Sequence, residues 1–202
     1  QGQSVALSAD GNTAIVGGTG DNINAGAAWI WTRSGGVWTQ QSGKLAGSGA
    51  AGSAMQGQSV ALSSDGNTAI VGGDFDNSRA GATWVWTRSA GVWTQQSDKL
   101  IGSGAAGAAE QGFSVSLSAD GNTAIVGGFG DNSIVGAAWV WTRSGGVGTQ
   151  QGAKLVGTGA VGTALHVSAV ELAADGTHAS RAGPDTTLDH ERAWVLPLSG
   201  AG

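Results

Sequence analysis

The sequence predicts an all-β protein, a β-propeller of about four four-stranded antiparallel blades with a degenerate last blade. Three observations support this: a 55-residue repeat, four strand-like segments in each repeat, and turns rich in glycine. An Asp-Gly turn and a tryptophan mark the period, at Asp10, Asp65, Asp120 and Asp175, and at Trp29, Trp84, Trp139 and Trp194. A fixed period of this size indicates one supersecondary unit that is copied and stacked.

Each unit contains four segments with strand character, shown here for the first. The segments are QSVALS, NTAIVG, AAWIWTR and VWTQQ, and they span residues 3–8, 12–17, 27–33 and 37–41. The first alternates, the second contains an apolar run at 14–16, the third places two tryptophans on one face, and the fourth is more polar. Asp10-Gly11 supplies the first hairpin turn, because glycine accepts a positive φ at little cost. A meander of four such strands is a propeller blade. The apolar first strand is expected near the centre and the polar fourth strand at the rim.

The chain divides into four units of one repeat domain, at about 3–57, 58–112, 113–167 and 168–202. The fourth unit keeps the Asp-Gly turn and Trp194 but ends before a fourth strand. Two alternatives follow: a capping repeat, which is often atypical, or a segment of a larger propeller. Because Gln1-Gly2 matches dipeptides inside the later units, we expect the amino terminus to be processed, trimmed or a fragment boundary.

Composition excludes several classes of function. The net charge is −5 and the basic residues are dispersed, so nucleic acid is not an expected partner. No stretch has the roughly 20 apolar residues of a membrane helix, and the absence of cysteine rules out disulfides and cysteine-bound zinc. Only 11% of the residues are charged. A surface rich in uncharged polar residues is typical of exported β proteins, and it predicts an extracellular or cell-surface location.

The repeated string QGxSVALSADGNTAIVGG, followed by DN and by GAAWVWTRSGGVWTQQ, resembles the FG-GAP repeat of integrin-α-type propellers in bacterial exported proteins. The likeness is strong over 2–163 and weak over 164–202. It implies a propeller, usually of about seven blades. The Phe-Gly opening is Gln-Gly here, at 1–2, 56–57 and 111–112. The family's Asp-rich calcium loop is reduced to pairs such as Asp10 and Asn12, which cannot supply six to eight oxygen ligands.

Tryptophans are the most conspicuous candidate binding residues. Six of them lie on third strands and are expected to pack between blades, since each buries on the order of 200 Å²: Trp29, Trp31, Trp84, Trp86, Trp139 and Trp141. Trp38 and Trp93 lie on the predicted rim strand, where the third unit has Gly148. Packing therefore does not require tryptophan there, and these two rings are candidate platforms for a sugar.

Acidic residues recur in the loop between the second and third strands, as Asp21, Asp76 and Asp131. Asp-Asn pairs stabilise turns through their own backbone, and the alternative is a role in ligand binding. Asp74 stands beside Asp76 in the second unit alone. These two are weak candidates for a cation site, and otherwise the sequence predicts no metal and no cofactor.

The sequence predicts no enzyme, because no paired carboxylates or Ser/His/Asp grouping stands out. The first hypothesis is an exported, non-enzymatic binding or adhesion module that recognises a protein or carbohydrate ligand. The second is a structural or assembly protein whose open terminal blade edge pairs with a neighbouring chain by strand addition.

Overall fold

Four antiparallel sheets follow one another along the chain. The computed structural model describes residues 1–157, 168–185 and 190–197. The strands are β1 (Val5–Leu7), β2 (Thr13–Gly18), β3 (Ala27–Ser34), β4 (Val37–Leu45), β5 (Ser59–Leu62), β6 (Thr68–Gly73), β7 (Ala82–Ser89), β8 (Val92–Gln95), β9 (Gln111–Leu117), β10 (Thr123–Gly128), β11 (Ala137–Ser144), β12 (Val147–Gln150), β13 (Ala169–Leu172), β14 (His178–Asp185) and β15 (His190–Pro197).

Each of the first three sheets is a four-stranded meander in chain order, and the described part of the fourth sheet has three strands. The register repeats between units: Val16 lies opposite Trp29 in the first, as Val71 lies opposite Trp84 in the second. This confirms the predicted antiparallel units.

One short segment joins the second and third strands of each complete unit: Asp21–Asn24, Asp76–Arg79 and Asp131–Ile134. Within the first, Asn22 (φ 48°) and Ile23 (φ 57°) lie in the left-handed region. Asparagine tolerates this region, whereas a β-branched residue such as isoleucine adopts it at a cost. The Gly26 N–H closes the turn on the Asp21 carbonyl at 2.9 Å. The predicted polar loop is therefore a left-handed turn.

Successive units stack face to face around their inner strands. β1 contacts β5, β5 contacts β9, and β9 contacts β13. The face of the first unit that carries Ile15 and Ile30, both fully buried, packs against Val71 and Trp84 of the second. Equivalent apolar clusters join the second unit to the third and the third to the fourth. The core is thus a series of clusters between units, as a propeller requires.

The connector between units needs glycine where it crosses an indole. A Cβ on Gly47 would lie 2.1 Å from Trp84 Cδ1, and one on Gly102 would lie 2.2 Å from Trp139 Cδ1. Each indole Nε1–H donates to the next carbonyl of the connector, that of Ser48 or Ser103, at 2.8 Å. The connector therefore lies flat on a fully buried tryptophan of the following unit.

Candidate functional site

Trp38 and Trp93 occupy equivalent positions on β4 and β8 but differ in exposure. Trp38 is 40% exposed and Trp93 only 8%. Trp93 packs in the cluster that contains Leu45 of the first unit, and its Nε1–H donates to Gln41 Oε1 at 3.2 Å. The expectation that Trp93 is an exposed platform is therefore wrong, because the preceding unit covers it.

Both rings are contacted by an arginine on the adjacent strand. The guanidinium carbon of Arg33 lies 5.5 Å from the centre of the Trp38 ring, and that of Arg88 lies 5.4 Å from the Trp93 ring. The register explains this, since Arg33 pairs with Trp38 and Arg88 with Trp93 across the two outer strands. Of the two predicted platforms, Trp38 alone keeps a substantial exposed surface.

The loop aspartates form ion pairs with lysines near the end of each unit. Asp76 Oδ2 lies 2.5 Å from Lys99 Nζ, and Asp131 Oδ2 lies 2.6 Å from Lys154 Nζ; both carboxylates are buried. The other oxygen of Asp76 accepts the Ala51 N–H of the preceding connector at 2.7 Å. The ion pairs lie within a unit, whereas the bond from the preceding connector, which Asp131 also accepts, ties adjacent units together. The structure therefore gives Asp76 and Asp131 a structural role.

Asp21 makes the same ion pair, with Lys44, in a more open setting. Its side chain is 25% exposed, whereas that of Asp76 is fully buried. The difference has a simple cause, since no described connector lies over Asp21 as residue 51 lies over Asp76. The ligand-binding role that the sequence assigned to these aspartates stays a prediction, and Asp21 is the member of the set with exposed surface.

Asp74 is buried without a hydrogen bond to its Oδ1 atom. Burial raises the pKa of its carboxyl from 3.8 to about 6, and the negative charge of Glu110 acts in the same direction. Glu110 is itself paired with Arg79 at 2.5 Å. The described residues contain no group of three or more His, Cys, Asp or Glu side chains able to hold a metal ion. Asp74 and Asp76 are therefore not members of such a group.

The Asp-Gly turns are closed by their own side chains. In the first turn, Asp10 Oδ1 accepts from Ser8 Oγ at 2.6 Å and from the Asn12 N–H at 2.9 Å. These hydrogen bonds lower the pKa of the Asp10 carboxyl. The same contacts recur around Asp65 and Asp120. The turn oxygens are thus engaged within the loop.

A buried glutamine clamps each of the first two connectors, a role that sequence reasoning missed. Gln56 Oε1 accepts the Gly47 N–H at 2.6 Å, and its Nε2 donates to the Gly47 carbonyl at 3.0 Å. Gln111 makes the same pair of bonds with Gly102. The available signal was the Gln-Gly dipeptide, which recurs where the FG-GAP pattern has Phe-Gly.

The first unit exposes the face that the second and third units bury against a neighbour. We call this the open face; it comprises Val5, Leu7, Val16, Trp31 and Trp38. Val5 is 69% and Leu7 61% exposed, whereas Val60, the equivalent of Val5, is 8% exposed. The described residues of the fourth unit therefore leave this face uncovered. It is an apolar surface of the kind that marks an interaction site.

Comparison with known proteins supports the fold. No protein-family model and no curated protein matches the sequence. Among solved structures, the fold matches a TolB-like protein from Agrobacterium tumefaciens with a TM-score of 0.56 and 13% identity. The match covers 98% of this chain and 59% of that one, so the chain spans less than two thirds of this neighbour's length. The likeness supports a β-propeller-like fold and nothing finer. The FG-GAP resemblance stays a prediction.

Within the described part of the chain, no helix is long and apolar enough to cross a membrane.

Proposed function

We propose that this protein is a non-enzymatic binding or adhesion module, exported or displayed at the cell surface, that recognises a protein or carbohydrate ligand. The open face is the observation that carries this proposal. It combines exposed aliphatic side chains, Val5 and Leu7, with the partly exposed ring of Trp38. Large exposed apolar surfaces and aromatic rings with a free face are the features that binding surfaces use.

The use of the acidic side chains supports a binding role over catalysis. A hydrolase of the paired-carboxylate type needs two acids at one cleft. Here Asp76 and Asp131 are buried in ion pairs with lysines, and Asp10 is held by hydrogen bonds in its turn. The FG-GAP resemblance, with its adhesion-type propellers, favours the same function and an exported location.

A binding screen with matched variants tests the proposal. The full chain is applied to a glycan array and to immobilised cell-surface protein extracts, beside Trp38→Ala and Leu7→Ser. We expect binding that falls at least tenfold in either variant. Val92→Ser is the matched control, because Val92 is 64% exposed but lies outside the open face. Uniformly negative screens, or binding that both variants retain, would refute the proposal.

An assembly role is the second candidate, and the open face favours it too. In the second and third units, the equivalent face is covered by the preceding unit of the same kind. Another blade is thus a chemically suitable partner, and we propose a second copy of this chain as its source. The described part of the fourth sheet also leaves β15 as an edge strand, which suits strand addition. In this version, the four units form part of a larger ring that a further copy extends.

Oligomeric state separates the two candidates. Light scattering coupled to size exclusion should show a dimer or larger species that Leu7→Glu converts to a monomer. A protein that stays monomeric at high concentration would exclude the assembly version. The number of blades around the centre, counted in projection images, would then give the size of the ring.

A further inference from the structure

The interfaces between units share a ladder of backbone hydrogen bonds at the tips of their first hairpins. The Ala9 N–H donates to the Ser64 carbonyl at 2.9 Å, and the Ser64 N–H donates to the Ala119 carbonyl at 2.8 Å. The Ala119 N–H continues the series with the Ala174 carbonyl of the fourth unit, again at 2.8 Å. The ladder therefore runs through all four units in one direction. Its two ends, the Ala9 carbonyl and the Ala174 N–H, have no partner among the described residues.

A contact between turn glycine and threonine repeats at the same interfaces and is missing at the same end. A Cβ on Gly66 would lie 2.9 Å from Thr13 Oγ1, so the turn of the second unit rests directly on the first. The same contact recurs at the next two interfaces. Of the described residues, only Arg33 lies within reach of a Cβ on Gly11, with its Nη2 at 3.7 Å. The turn of the first unit is therefore shaped to rest on a further unit.

The arginine of the third strand follows the same rule. Arg88 Nη2 donates to Thr13 Oγ1 of the preceding unit at 3.4 Å, and Arg143 Nη2 donates to Thr68 Oγ1 at 3.2 Å. Arg33 is exposed and has no such threonine partner among the described residues. Three independent contacts of the first unit thus await the same kind of surface, the leading face of another unit.

The fourth unit presents such a leading face to solvent. We call it the outer face; it comprises Glu171, Ala173, His178 and Ser180. Ser180 stands where the first three units carry an isoleucine that is almost completely buried, at Ile15, Ile70 and Ile125. A depression of about 230 Å³ lies at this place, lined by the outer face together with Leu172 and Ala179.

The outer face and the open face match in shape. Val60, the equivalent of Val5, packs in the cluster that contains Ile15 of the preceding unit. In the same arrangement, Val5 would lie against the position of Ser180. The exposed aliphatic side chain of the open face thus meets a depression where the complete units have isoleucine.

The two faces also match in charge. His178 takes the place of the threonine that receives the arginine of the following unit. Glu171 lines the same depression and adds a carboxylate that the first two units lack, since they carry alanine there. The Arg33 guanidinium, beside the open face, is the cation that this carboxylate would face, and opposite charges across a contact fix its orientation.

We propose that the outer face of one copy covers the open face of a second copy, head to tail, as each unit covers the next within the chain. The Ala174 N–H of one copy then donates to the Ala9 carbonyl of the other. Such a heterologous contact generates a ring where the rotation closes. This proposal rests on the assembly role and adds to it the second surface and the orientation. The polar residues of the outer face keep it soluble while it is uncovered, as terminal repeats require.

Sedimentation equilibrium with complementary variants tests the orientation. Leu7→Glu blocks the open face and Ser180→Glu blocks the outer face, so each variant alone should be monomeric. An equimolar mixture should contain a dimer, because each variant keeps the face that the other has lost. A two-fold contact between two open faces would give no such rescue. Val92→Ser is the matched control and should associate as the wild type does, because Val92 lies outside both faces.

A gain of association provides the second measurement. Ser180→Ile restores the residue of the other units and should strengthen each contact about tenfold, the ratio for burying one aliphatic side chain. Leu7→Glu in the same chain should cancel this gain. If Ser180→Glu does not fold by circular dichroism, Glu171→Arg takes its place, because it sets a like charge beside Arg33.

The outcomes separate this proposal from the assembly role. Association that Leu7→Glu abolishes but Ser180→Glu leaves intact would overturn the head-to-tail contact and leave the assembly role standing. Absence of rescue in the mixture would do the same, as would a gain from Ser180→Ile that Leu7→Glu does not cancel. A wild type that stays monomeric at high concentration would overturn both.

Discussion

The paired tryptophans Trp38 and Trp93 offer a direct measurement of what stacking between units contributes. They share strand position, neighbouring sequence and an arginine partner at 5.5 and 5.4 Å. They differ in solvent exposure, since Trp38 is 40% exposed and Trp93 is 8% exposed. Replacing each by alanine therefore compares the same side chain with and without a preceding unit.

The expected difference follows from area and hydrogen bonding. The exposures differ by 32 percentage points (40 − 8), which for a side chain of about 200 Å² is roughly 65 Å². At about 25 cal/mol per Å², this area contributes about 1.6 kcal/mol. The bond from Trp93 Nε1 to Gln41 adds about 1 kcal/mol. Trp93→Ala should thus lower the free energy of unfolding by about 2.5–3 kcal/mol more than Trp38→Ala does.

Urea unfolding followed by circular dichroism measures both variants, and a thermal scan should show a gap of roughly 5–12 °C between their midpoints. A double-mutant cycle with Gln41→Ala isolates the contact. We expect a coupling of about 1 kcal/mol with Trp93 and none with Trp38. If the two tryptophan variants lower the free energy of unfolding equally, within about 0.5 kcal/mol, the first unit does not cover Trp93, and the stacked arrangement of the units is refuted.

Three further perturbations address buried polar groups. Burial raises the pKa of the Asp74 carboxyl to about 6, so the folded state holds this proton more tightly than the unfolded state, and the free energy of unfolding falls as the pH rises from about 4 to 7. Asp74→Asn should flatten this fall and stabilise the protein at pH 8 by at most about 3 kcal/mol. Urea unfolding at a series of pH values measures both effects. Lys99→Met leaves the buried Asp76 charge unpaired and should lower the free energy of unfolding by about 3–5 kcal/mol. Lys44→Met removes an ion pair with a more exposed lysine and should lower it by about 1 kcal/mol or less. Equal midpoints of thermal unfolding for the two variants would contradict this. Gln111→Leu removes both bonds to the connector and should cost about 2–4 kcal/mol, with faster amide exchange across residues 102–110 as its specific signature.

The strands and hairpin turns could be predicted because they depend on local pattern. Alternating apolar residues and an Asp-Gly dipeptide specify a hairpin wherever they occur. The structure shows this hairpin in all four units, including the degenerate one. The left-handed turn at Asp21–Asn24 was not predictable by the same means. Ile23 disfavours that conformation, so the turn depends on its closing hydrogen bonds rather than on the propensity of the residue.

Exposure could not be predicted from residue type, because it depends on what lies alongside. Asp21 and Asp76 hold equivalent positions in the repeat and are each followed by asparagine, yet only Asp76 is fully buried. Trp38 and Trp93 show the same effect. In a near-identical repeat, sequence alone predicts the same role for equivalent residues. Whether a given copy is buried depends on whether an adjacent unit packs against it.

Sites in such a protein are best sought where the copies differ rather than where they agree. The shared residues build the turns, the ion pairs and the clamps that hold the connectors. The rim position is tryptophan, tryptophan and glycine in successive units, at 38, 93 and 148. Stacking tolerates this change, since the third unit still packs on the second through its inner strands. The substitution changes the third unit, where a groove lies at Gly148 in place of the interface that Trp93 seals in the second. In the first unit, the same tryptophan is exposed because no described unit covers it. A repeat scaffold can thus acquire distinct binding surfaces by single substitutions at its rim while the shared core residues keep the units stacked.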